Sequence, residues 1–376
     1  MKPRVAVTGF HIGTSQGASH DETLRAWNDA DADLQVWSRA GKLCGGRPES
    51  LRKEEPYSGV LFPAARELVR LGLWDKGLTL DPQRVAVCFS SSKGDLARLH
   101  NEQDNWAPDA ATNWWQRTLR SRGAGFSPVA ACAGGAHAVA IGAQWIEDGY
   151  ADVVICGALE LPQTPLVLAA YERLGALSKS GVMRPFDANR DGFVPAHGVA
   201  MLVLESEEHA RSRGAQKHGF ISGWAMNADA TAMTTMQPNG DSIARAIEIA
   251  MRRANVETVD LINAHGTATK LNDEVETRGI KKVFQSRVPL SSTKPLTGHW
   301  LGAAGALEAI ICLLAMRENF APPTLNLDTP DALCDLDCIA GTGRTLEINR
   351  CLSLSYGFGG HIGALILEKK QDIKDV

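Results

Sequence analysis

The sequence lacks any apolar run that could span a membrane, and it lacks an excess of positive charge. Its longest apolar helix candidate, Gly302 to Met316, contains Glu308 and is too short for a span. The 39 Lys and Arg residues against 43 Asp and Glu residues leave a formal net charge of −4. A nucleic-acid-binding protein would carry a basic footprint, so that class is not expected. The short apolar run Val5 to Gly9 predicts a first strand and not a signal peptide.

Paired cysteine motifs are also lacking, since the eight cysteines stand at irregular spacing. Cys88 and Cys156 lie inside apolar strand-like runs, which is typical of buried free thiols in a reducing compartment. We therefore expect a cytoplasmic protein. Cys334 and Cys338 have no second ligand pair, so a zinc site is not expected. The run from Asp187 to Gly192 resembles a calcium loop, but its twelfth position, where a bidentate Glu is needed, is glycine.

Short apolar strand candidates alternate with amphipathic or apolar helix candidates along the whole chain, which predicts an α/β fold with sheets covered on both faces. Apolar strands ending in Glu close both halves, at Ala200–Glu205 and Ala364–Glu368. Each follows a glycine-containing loop with a histidine, His197 or His361. These matches indicate an internal duplication, with halves at residues 1–205 and 206–376. No low-complexity linker separates the halves, so they are expected to pack as one body. The predicted strands are Arg4–Thr8, Arg84–Phe89, Asp152–Cys156, Ala200–Glu205, Gly219–Trp224, Leu261–Ala264, Leu290–Ser292, Cys351–Ser355 and Gly363–Glu368. The predicted helices are Tyr57–Leu73, Gly134–Asp148, Asp241–Ala254 and Gly302–Arg317.

The segment around Cys132 is the first candidate for chemistry. A short apolar stretch leads into Cys132, small residues and glycines follow, and a helix is predicted from Gly134 onward. A thiol at a helix N-terminus is expected to have a lowered pKa, because the helix dipole and free N–H groups stabilise the thiolate. A buried structural cysteine at a Gly/Ala-rich helix start explains this segment equally well.

Two histidines stand in similar surroundings in the second half. Leu261 to Ala264 predicts a strand that delivers His265 into a Gly/Thr-rich loop, and His299 follows a polar loop just before a Gly/Ala-rich helix. Neutral imidazoles that donate a hydrogen bond can stabilise an enolate or an oxyanion. Each histidine taken alone is more often a structural residue, and one cysteine together with two such histidines favours a catalytic interpretation.

Five segments, in this order, resemble motifs of the β-ketoacyl synthases of fatty-acid and polyketide assembly, and the resemblance extends from Val5 to Glu368. They are the segment around Cys132, the loop Arg184–Phe193, the segments of His265 and His299, and Ser355–Gly360. A cysteine with two histidines resembles the elongating class, whereas the initiating class pairs cysteine with His and Asn and thiolases use a second cysteine. The resemblance implies a thiolase-like fold in which two duplicated α/β halves form a layered αβαβα body.

The resemblance also implies a mechanism. Cys132 would carry the acyl group, and its backbone N–H with that of Phe358 would form the oxyanion hole. His265 and His299 would bind a malonyl thioester and stabilise the enolate that forms as carbon dioxide leaves. Lys294 would support the two histidines electrostatically.

Further roles follow from the same resemblance. Glu308 would organise the polar network and belong to the substrate-binding residues, Thr267 and Thr269 would contact the pantetheine arm, and Phe358 would gate the acyl pocket. No metal or organic cofactor is implied. The implied partners are an acyl carrier protein bearing acyl or malonyl phosphopantetheine and a second subunit, as a homodimer or a heterodimer, with no nucleic acid and no membrane insertion.

Several positions depart from the family pattern. Gly134 stands where Ser or Thr is usual, His361 and Ile362 replace Thr-Asn, and Ser90 to Asp95 replaces a glycine-rich stretch near the acyl pocket. Selectivity is therefore expected to depend partly on His361. Two alternatives stay open: a polyketide ketosynthase that works only beside a non-identical subunit, and a non-catalytic chain-length-determining subunit.

Overall fold

A computed structural model of the chain describes residues 2–13, 61, 64–65, 80–101, 104, 106–161, 163–284 and 288–370. Ten of the strands in this part of the chain form one mixed sheet, and two short ones form a separate ribbon. The strands are β1 (Val5–Gly13), β2 (Val85–Ser90), β3 (Gly125–Phe126), β4 (Val153–Glu160), β5 (Gly198–Ser206), β6 (Gly219–Ala228), β7 (Leu261–Asn263), β8 (Leu290–Ser291), β9 (Phe320–Ala321), β10 (Arg344–Thr345), β11 (Arg350–Gly357) and β12 (His361–Glu368).

The helices of the described residues lie between these strands, and three single 3₁₀ turns accompany them. The turns are Pro82–Arg84, Ala131–Ala133 and Leu301–Ala303. The α-helices are α1 (Leu96–His100), α2 (Ala110–Leu119), α3 (Gly134–Glu147), α4 (Pro165–Arg173), α5 (Glu207–Ser212), α6 (Asp241–Ala254), α7 (Lys270–Val283), α8 (Lys294–Thr297) and α9 (Ala304–Glu318).

The strand order shows the duplication directly. The order is β3-β2-β4-β5-β1-β6-β12-β11-β7-β8, so each half contributes five strands with the same sequence of neighbours, joined where β1 pairs with β6. Residues Val5 to Val7 pair antiparallel with Gly219 to Ile221 at this join. Two α/β halves of one topology, arranged about the β1–β6 join, confirm the predicted duplicated fold. The boundary at residues 205 and 206, where β5 runs into α5, stays a prediction.

The core explains the layered arrangement. Helices α3 and α9 pack with residues of both half-sheets in one buried apolar cluster, so they form the middle layer. Helix α2 covers the outer face of the first half-sheet, and α6 and α7 cover that of the second. The five layers αβαβα follow because α9 is apolar on nearly all sides, which suits a helix enclosed between two sheets.

Helices α3 and α9 approach each other closely where both begin. A Cβ atom on Gly135 would lie 2.7 Å from the backbone nitrogen of Ala306, and one on Gly305 would lie 2.8 Å from that of Ala136. The two contacts are reciprocal, as expected for duplicated halves. Glycine is needed at both positions because backbone faces backbone across the contact.

The predicted strands and three of the four predicted helices are confirmed, with differences at their ends. Strand β4 continues to Glu160 and β1 to Gly13, each several residues beyond the predicted end. The helix predicted over Tyr57–Leu73 lies largely outside the described residues. Among the residues that are described, none belongs to a helix long and apolar enough to cross a membrane.

Replacing Gly135 by Ala should lower the free energy of unfolding. The added Cβ would meet backbone atoms of α9, and overpacking of this kind costs about 1–3 kcal/mol, more than the roughly 1 kcal/mol by which Ala favours a helix over Gly. Denaturant unfolding measures the difference. Gln144→Ala, on the last turns of the same helix, is the control and should change stability by less than about 0.5 kcal/mol. A Gly135→Ala variant as stable as the parent would contradict the tight crossing.

Candidate active site

One cavity of about 870 Å³ contains most of the predicted site residues. Its lining combines residues from both halves of the fold, because the cavity lies where the two central helices begin. The predicted residues that line it are Cys132, His265, Thr267, Thr269, His299, Phe358 and His361. Lys294 and Glu308 do not line it and lie buried behind the histidines. Glu308 is therefore corrected from a substrate contact to a support of Lys294.

Cys132 is presented by a sharp turn. It lies in the 3₁₀ turn that precedes α3, and Ala131 before it has a left-handed φ of 45°. A non-glycine residue in this region is strained, which is a feature of functional turns. The end of β11 approaches the same turn, since a Cβ on Gly357 would lie 3.0 Å from the Cys132 nitrogen. The Cys132 N–H thus lies beside the strand end that leads to Phe358.

The environment of the Cys132 thiol differs from the sequence expectation. Burial raises the pKa of Cys132 to about 12, while the charges of Lys93 and Lys294 lower it and those of Glu160 and Glu308 raise it. The predicted lowering of this pKa is wrong, because desolvation of the thiolate outweighs what the neighbouring cations supply. A pKa of about 12 places the thiol in its protonated form at neutral pH.

Lys294 fixes the orientation of His265. Its ammonium, only 1% exposed, donates to the His265 carbonyl, lies 3.3 Å from His265 Nδ1, and pairs with Glu308 Oε1 at 2.5 Å. An ammonium can only donate, so Nδ1 is the acceptor and the proton of the neutral ring lies on Nε2. Glu308 completes the pair, and burial raises its pKa to about 7 although Lys294 lowers it.

His299 lies against His265 from a different loop. The ring centroids are 5.4 Å apart with an interplanar angle of 82°. The backbone N–H of His299 donates to the backbone carbonyl of Val194, which anchors the residue to the first half of the chain. Burial first, and then the charge of Lys294, hold the pKa of both histidines well below the usual range. Both rings are therefore neutral at pH 7, the form that can donate to a developing oxyanion.

Two buried carboxylates of α7 hold the loops that carry His265 and Phe186, and neither was expected from the sequence. Glu276 accepts the backbone N–H groups of His265 and Gly266, each at 2.8 Å, and Asp273 accepts that of Phe186 at 2.9 Å. Burial raises the pKa of Glu276 to about 7 and that of Asp273 to about 6. Their spacing of three residues on one helix face was the available signal, but it is common on solvated helices.

The Asp187 loop has a structural role. The Asp187 carboxylate accepts backbone N–H groups of Asn189, Asp328 and Thr329 at 2.6 to 2.9 Å. These bonds tie the loop to the segment after β9. Within the described residues there is no group of three or more His, Cys, Asp or Glu side chains that could hold a metal ion.

Aromatic side chains border the mouth of the cavity near Cys132. Phe358, about one-third exposed, stacks on Tyr171 with a centroid distance of 6.4 Å, and Tyr171 meets Phe193 edge-on at 5.5 Å. Gly359 and Gly360 after Phe358 both have left-handed φ values, of 88° and 78°, that glycine adopts without strain. His361 follows at the start of β12, with its ring edge-on to His137. The predicted gate and the unusual histidine thus lie at one side of the cavity.

A cysteine thiol and two neutral imidazoles that line one cavity inside a duplicated αβαβα body define a class, that of the acyl-transferring condensing enzymes. Comparison with known proteins agrees. Residues 71–210 match the model of the β-ketoacyl synthase N-terminal domain and residues 218–328 that of the C-terminal domain. The chain belongs to the β-ketoacyl synthase family and is an acyltransferase.

Two curated relatives illustrate the range of this family. A putative polyketide β-ketoacyl synthase 1 of Streptomyces cyaneus is 37% identical, with 98% of each chain covered. A 3-oxoacyl-[acyl-carrier-protein] synthase 2 of Coxiella burnetii is 41% identical, with 86% of this chain and 84% of the relative covered. A 3-oxoacyl-[acyl-carrier-protein] synthase and a polyketide synthase thus show similar identity to this chain.

Solved structures confirm the fold. A type II polyketide ketosynthase in complex with its acyl carrier protein has a TM-score of 0.85 at 29% identity, covering 99% of this chain and 100% of the other. A β-ketoacyl synthase from Burkholderia phymatum has a TM-score of 0.84 at 29% identity and the same coverage.

The pH dependence of Cys132 alkylation tests the environment of the thiol. Because the pKa is raised to about 12, the thiolate fraction should increase roughly tenfold per pH unit from pH 7 to 10 without a plateau. Iodoacetamide labelling followed by peptide mass analysis gives the rate at Cys132, with free cysteine in solution as the reference that levels off near pH 9. A plateau for Cys132 below pH 8 would show that the helix terminus and lysines dominate after all.

Proposed function

We propose that this protein catalyses the decarboxylative condensation of an acyl group on Cys132 with a malonyl group carried by an acyl carrier protein. The observation that carries the proposal is the meeting of Cys132, His265 and His299 in one cavity. Cys132 comes from the first half, residues 1–205, and both histidines from the second, residues 206–376. Cys132 supplies the nucleophile, and the imidazoles supply donors for a developing enolate.

Acyl transfer comes first. The Cys132 sulfur attacks the carbonyl of an acyl thioester, the thiol proton passes to the leaving pantetheine sulfur, and an acyl-Cys132 thioester results. The Cys132 N–H and that of Phe358 would stabilise the tetrahedral oxyanion, which the approach of Gly357 to the Cys132 nitrogen supports. Phe358 would move aside to admit the acyl group.

Condensation follows when a malonyl thioester enters. Loss of carbon dioxide leaves an enolate whose oxygen accepts hydrogen bonds from His265 and His299. The enolate carbon attacks the acyl-Cys132 carbonyl, the Cys132 thiolate leaves, and it takes a proton from solvent. Lys294 and Glu308 keep His265 in the Nε2–H tautomer, and Thr267 and Thr269, whose hydroxyls are 3.0 Å apart, would contact the pantetheine arm.

The mouth of the cavity suits a carrier protein. Lys179 and Lys270 are exposed at its rim, beside the exposed apolar side chains of Leu174, Met233 and Leu271. Cations around an apolar patch fit an acidic domain that delivers a long, flexible thioester arm. The solved complex of a ketosynthase with its acyl carrier protein supports this partner. The reaction requires no metal or organic cofactor, and the buried free thiols support a cytoplasmic location.

A homodimer is the simplest assembly, and a second candidate is a ketosynthase that works beside a non-identical subunit. The ishigamide ketosynthase and chain-length-factor structure has a TM-score of 0.84 at 28% identity, which favours the second. Edge strand β3 leaves Phe126 exposed, and Val129 shortly after it in the sequence is exposed too, as an unpartnered face would be. A non-catalytic subunit fits poorly, because this chain retains Cys132 and both histidines.

Variants of Cys132 and His299 test the function, because the two residues are assigned to different steps of the reaction. Cys132→Ser should abolish condensation, because a hydroxyl is a far weaker nucleophile than a thiol at neutral pH. His299→Ala should slow malonyl decarboxylation by about a hundredfold or more, the usual cost of an oxyanion donor, and should slow acyl loading much less. Intact-mass analysis follows acyl loading of Cys132, and carbon dioxide release follows decarboxylation.

The controls separate the proposal from general damage. His100→Ala, at an exposed helix end outside the cavity, should leave both steps unchanged. Condensation retained by Cys132→Ser, or acyl loading that falls as far as decarboxylation in His299→Ala, would contradict the assigned roles.

The oligomeric state and the activity of the chain expressed alone distinguish the homodimer from the ketosynthase that needs a non-identical subunit. The chain expressed alone should be a dimer by light scattering and should condense acyl and malonyl groups without help. A chain that is monomeric or inactive alone, and that gains activity when co-expressed with a homologue lacking the cysteine, would establish the heteromeric alternative.

A further inference from the structure

A second, mostly buried ion pair lies beside the turn of Gly302, outside the lining of the open cavity. Lys93 Nζ and Glu160 Oε1 are 2.6 Å apart, with side chains 20% and 2% exposed. Neither residue lines the cavity that holds the histidines. Burying two charges costs several kcal/mol per ion unless hydrogen bonds compensate them. The hydrogen bonds that each member of the pair makes therefore show how its charge is compensated.

Glu160 binds the turn of the second half that corresponds to the Cys132 turn of the first half. The turn Leu301–Ala303 repeats the turn of Cys132, with Leu301 at the same φ of 45° as Ala131, and Gly302 at the position of Cys132. The Gly302 N–H donates to Glu160 Oε2 at 3.0 Å. Glu160 thus occupies, in the second turn, the place that an oxyanion would take beside the Cys132 N–H in the first.

Both oxygens of the Glu160 carboxylate accept hydrogen bonds, whereas the Lys93 ammonium uses only two of its three donors. Glu160 accepts Lys93 and Gln163 on Oε1, and the Ser92 hydroxyl at 2.7 Å and Gly302 on Oε2. Lys93 has three ammonium protons and donates to Glu160 and, at 2.6 Å, to Ser92 Oγ. The described residues offer no acceptor for its third proton. One donor of a mostly buried ammonium therefore remains for a ligand.

The field of Lys93 reaches the reacting groups. Its charge lowers the pKa of the Cys132 thiol, and it lowers that of His299 after burial and Lys294. The Cys132 turn and the Gly302 turn pack against each other, and Glu160 bridges from Gly302 to Lys93. Lys93 therefore lies close to the acyl group that Cys132 would carry.

We infer that Lys93 is a specificity-determining residue, whose free N–H donates to an oxygen on the acyl group of Cys132 and so favours oxygenated, 3-oxoacyl groups over saturated ones. The inference rests on the proposed function, since it concerns the acyl-Cys132 intermediate. A saturated chain would strip water from the ion pair without replacing the lost hydrogen bond. A carbonyl oxygen would replace it, and a charge-assisted bond of this kind is worth about tenfold to a hundredfold in selectivity.

The experiment compares two acyl donors of equal length, the N-acetylcysteamine thioesters of butanoic and 3-oxobutanoic acid. Intact-mass analysis gives the rate of Cys132 acylation by each. Each rate is divided by the rate of the same thioester with cysteamine in solution, which removes the greater intrinsic reactivity of the 3-oxo compound. The normalised preference of the parent protein for 3-oxobutanoyl should be about tenfold or more.

The variants assign that preference to Lys93. Lys93→Met combined with Glu160→Gln removes both charges and leaves none unpaired, and the normalised preference should fall to near one. Lys93→Arg keeps a cationic donor and should retain the preference. The matched control is Lys217→Met with Glu207→Gln, another ion pair, 3.0 Å long with its lysine also 20% exposed, and it should change nothing.

Three results of this comparison would overturn the inference. A preference that persists in the Lys93 and Glu160 double variant overturns the inference. So does a normalised preference of one or less in the parent protein, which needs no variant and holds even if the double variant does not fold. A folded parent protein in which neither thioester acylates Cys132, both alone and when co-expressed with a homologue lacking the cysteine, overturns the proposed function itself, and the inference with it.

Discussion

The close crossing of the two central helices is the constraint on which the site depends. Gly135 and Gly305 allow backbone to meet backbone where α3 and α9 begin, and this draws together the two turns that precede those helices. The nucleophile lies in one of these turns. Any side chain at the crossing would separate the halves, and Cys132 and His299, which the two halves supply to the same cavity, would move apart.

Burial and the charge of Lys294 together then set the state of the imidazoles. Lys294 donates to the His265 backbone and pairs with Glu308, so its charge is compensated at a depth where an unpaired ammonium would be very costly. Its charge and the surrounding burial keep His265 and His299 neutral. Because their pKa is lowered, these neutral rings are weak bases, so they donate hydrogen bonds and compete little for the thiol proton. The same network therefore supports enolate chemistry and leaves proton transfer to the leaving sulfur.

The sequence predicted the elements well because both half-sheets are covered on both faces, which makes their strands nearly continuous apolar runs. It could not show that Cys132 and His299 meet, since they are far apart in the chain, and the family resemblance supplied that connection. Reasoning from one helix end gave the wrong direction for the Cys132 pKa, because burial depends on the whole fold. Asp273 and Glu276 were missed because a carboxylate on a helix usually faces water, and only tertiary packing shows that these do not.

Duplication itself explains why charge accumulates around the thiol. Two equivalent turns each present a backbone N–H, at Cys132 and at Gly302, but only one turn carries a nucleophile. The Gly302 N–H is buried and needs an acceptor, which Glu160 supplies. A carboxylate at that depth needs a cation in turn, and Lys93 supplies it. The ammonium next to the acyl site thus follows from satisfying the unused turn, and an acyl group bound on Cys132 is placed where it must interact with the charge.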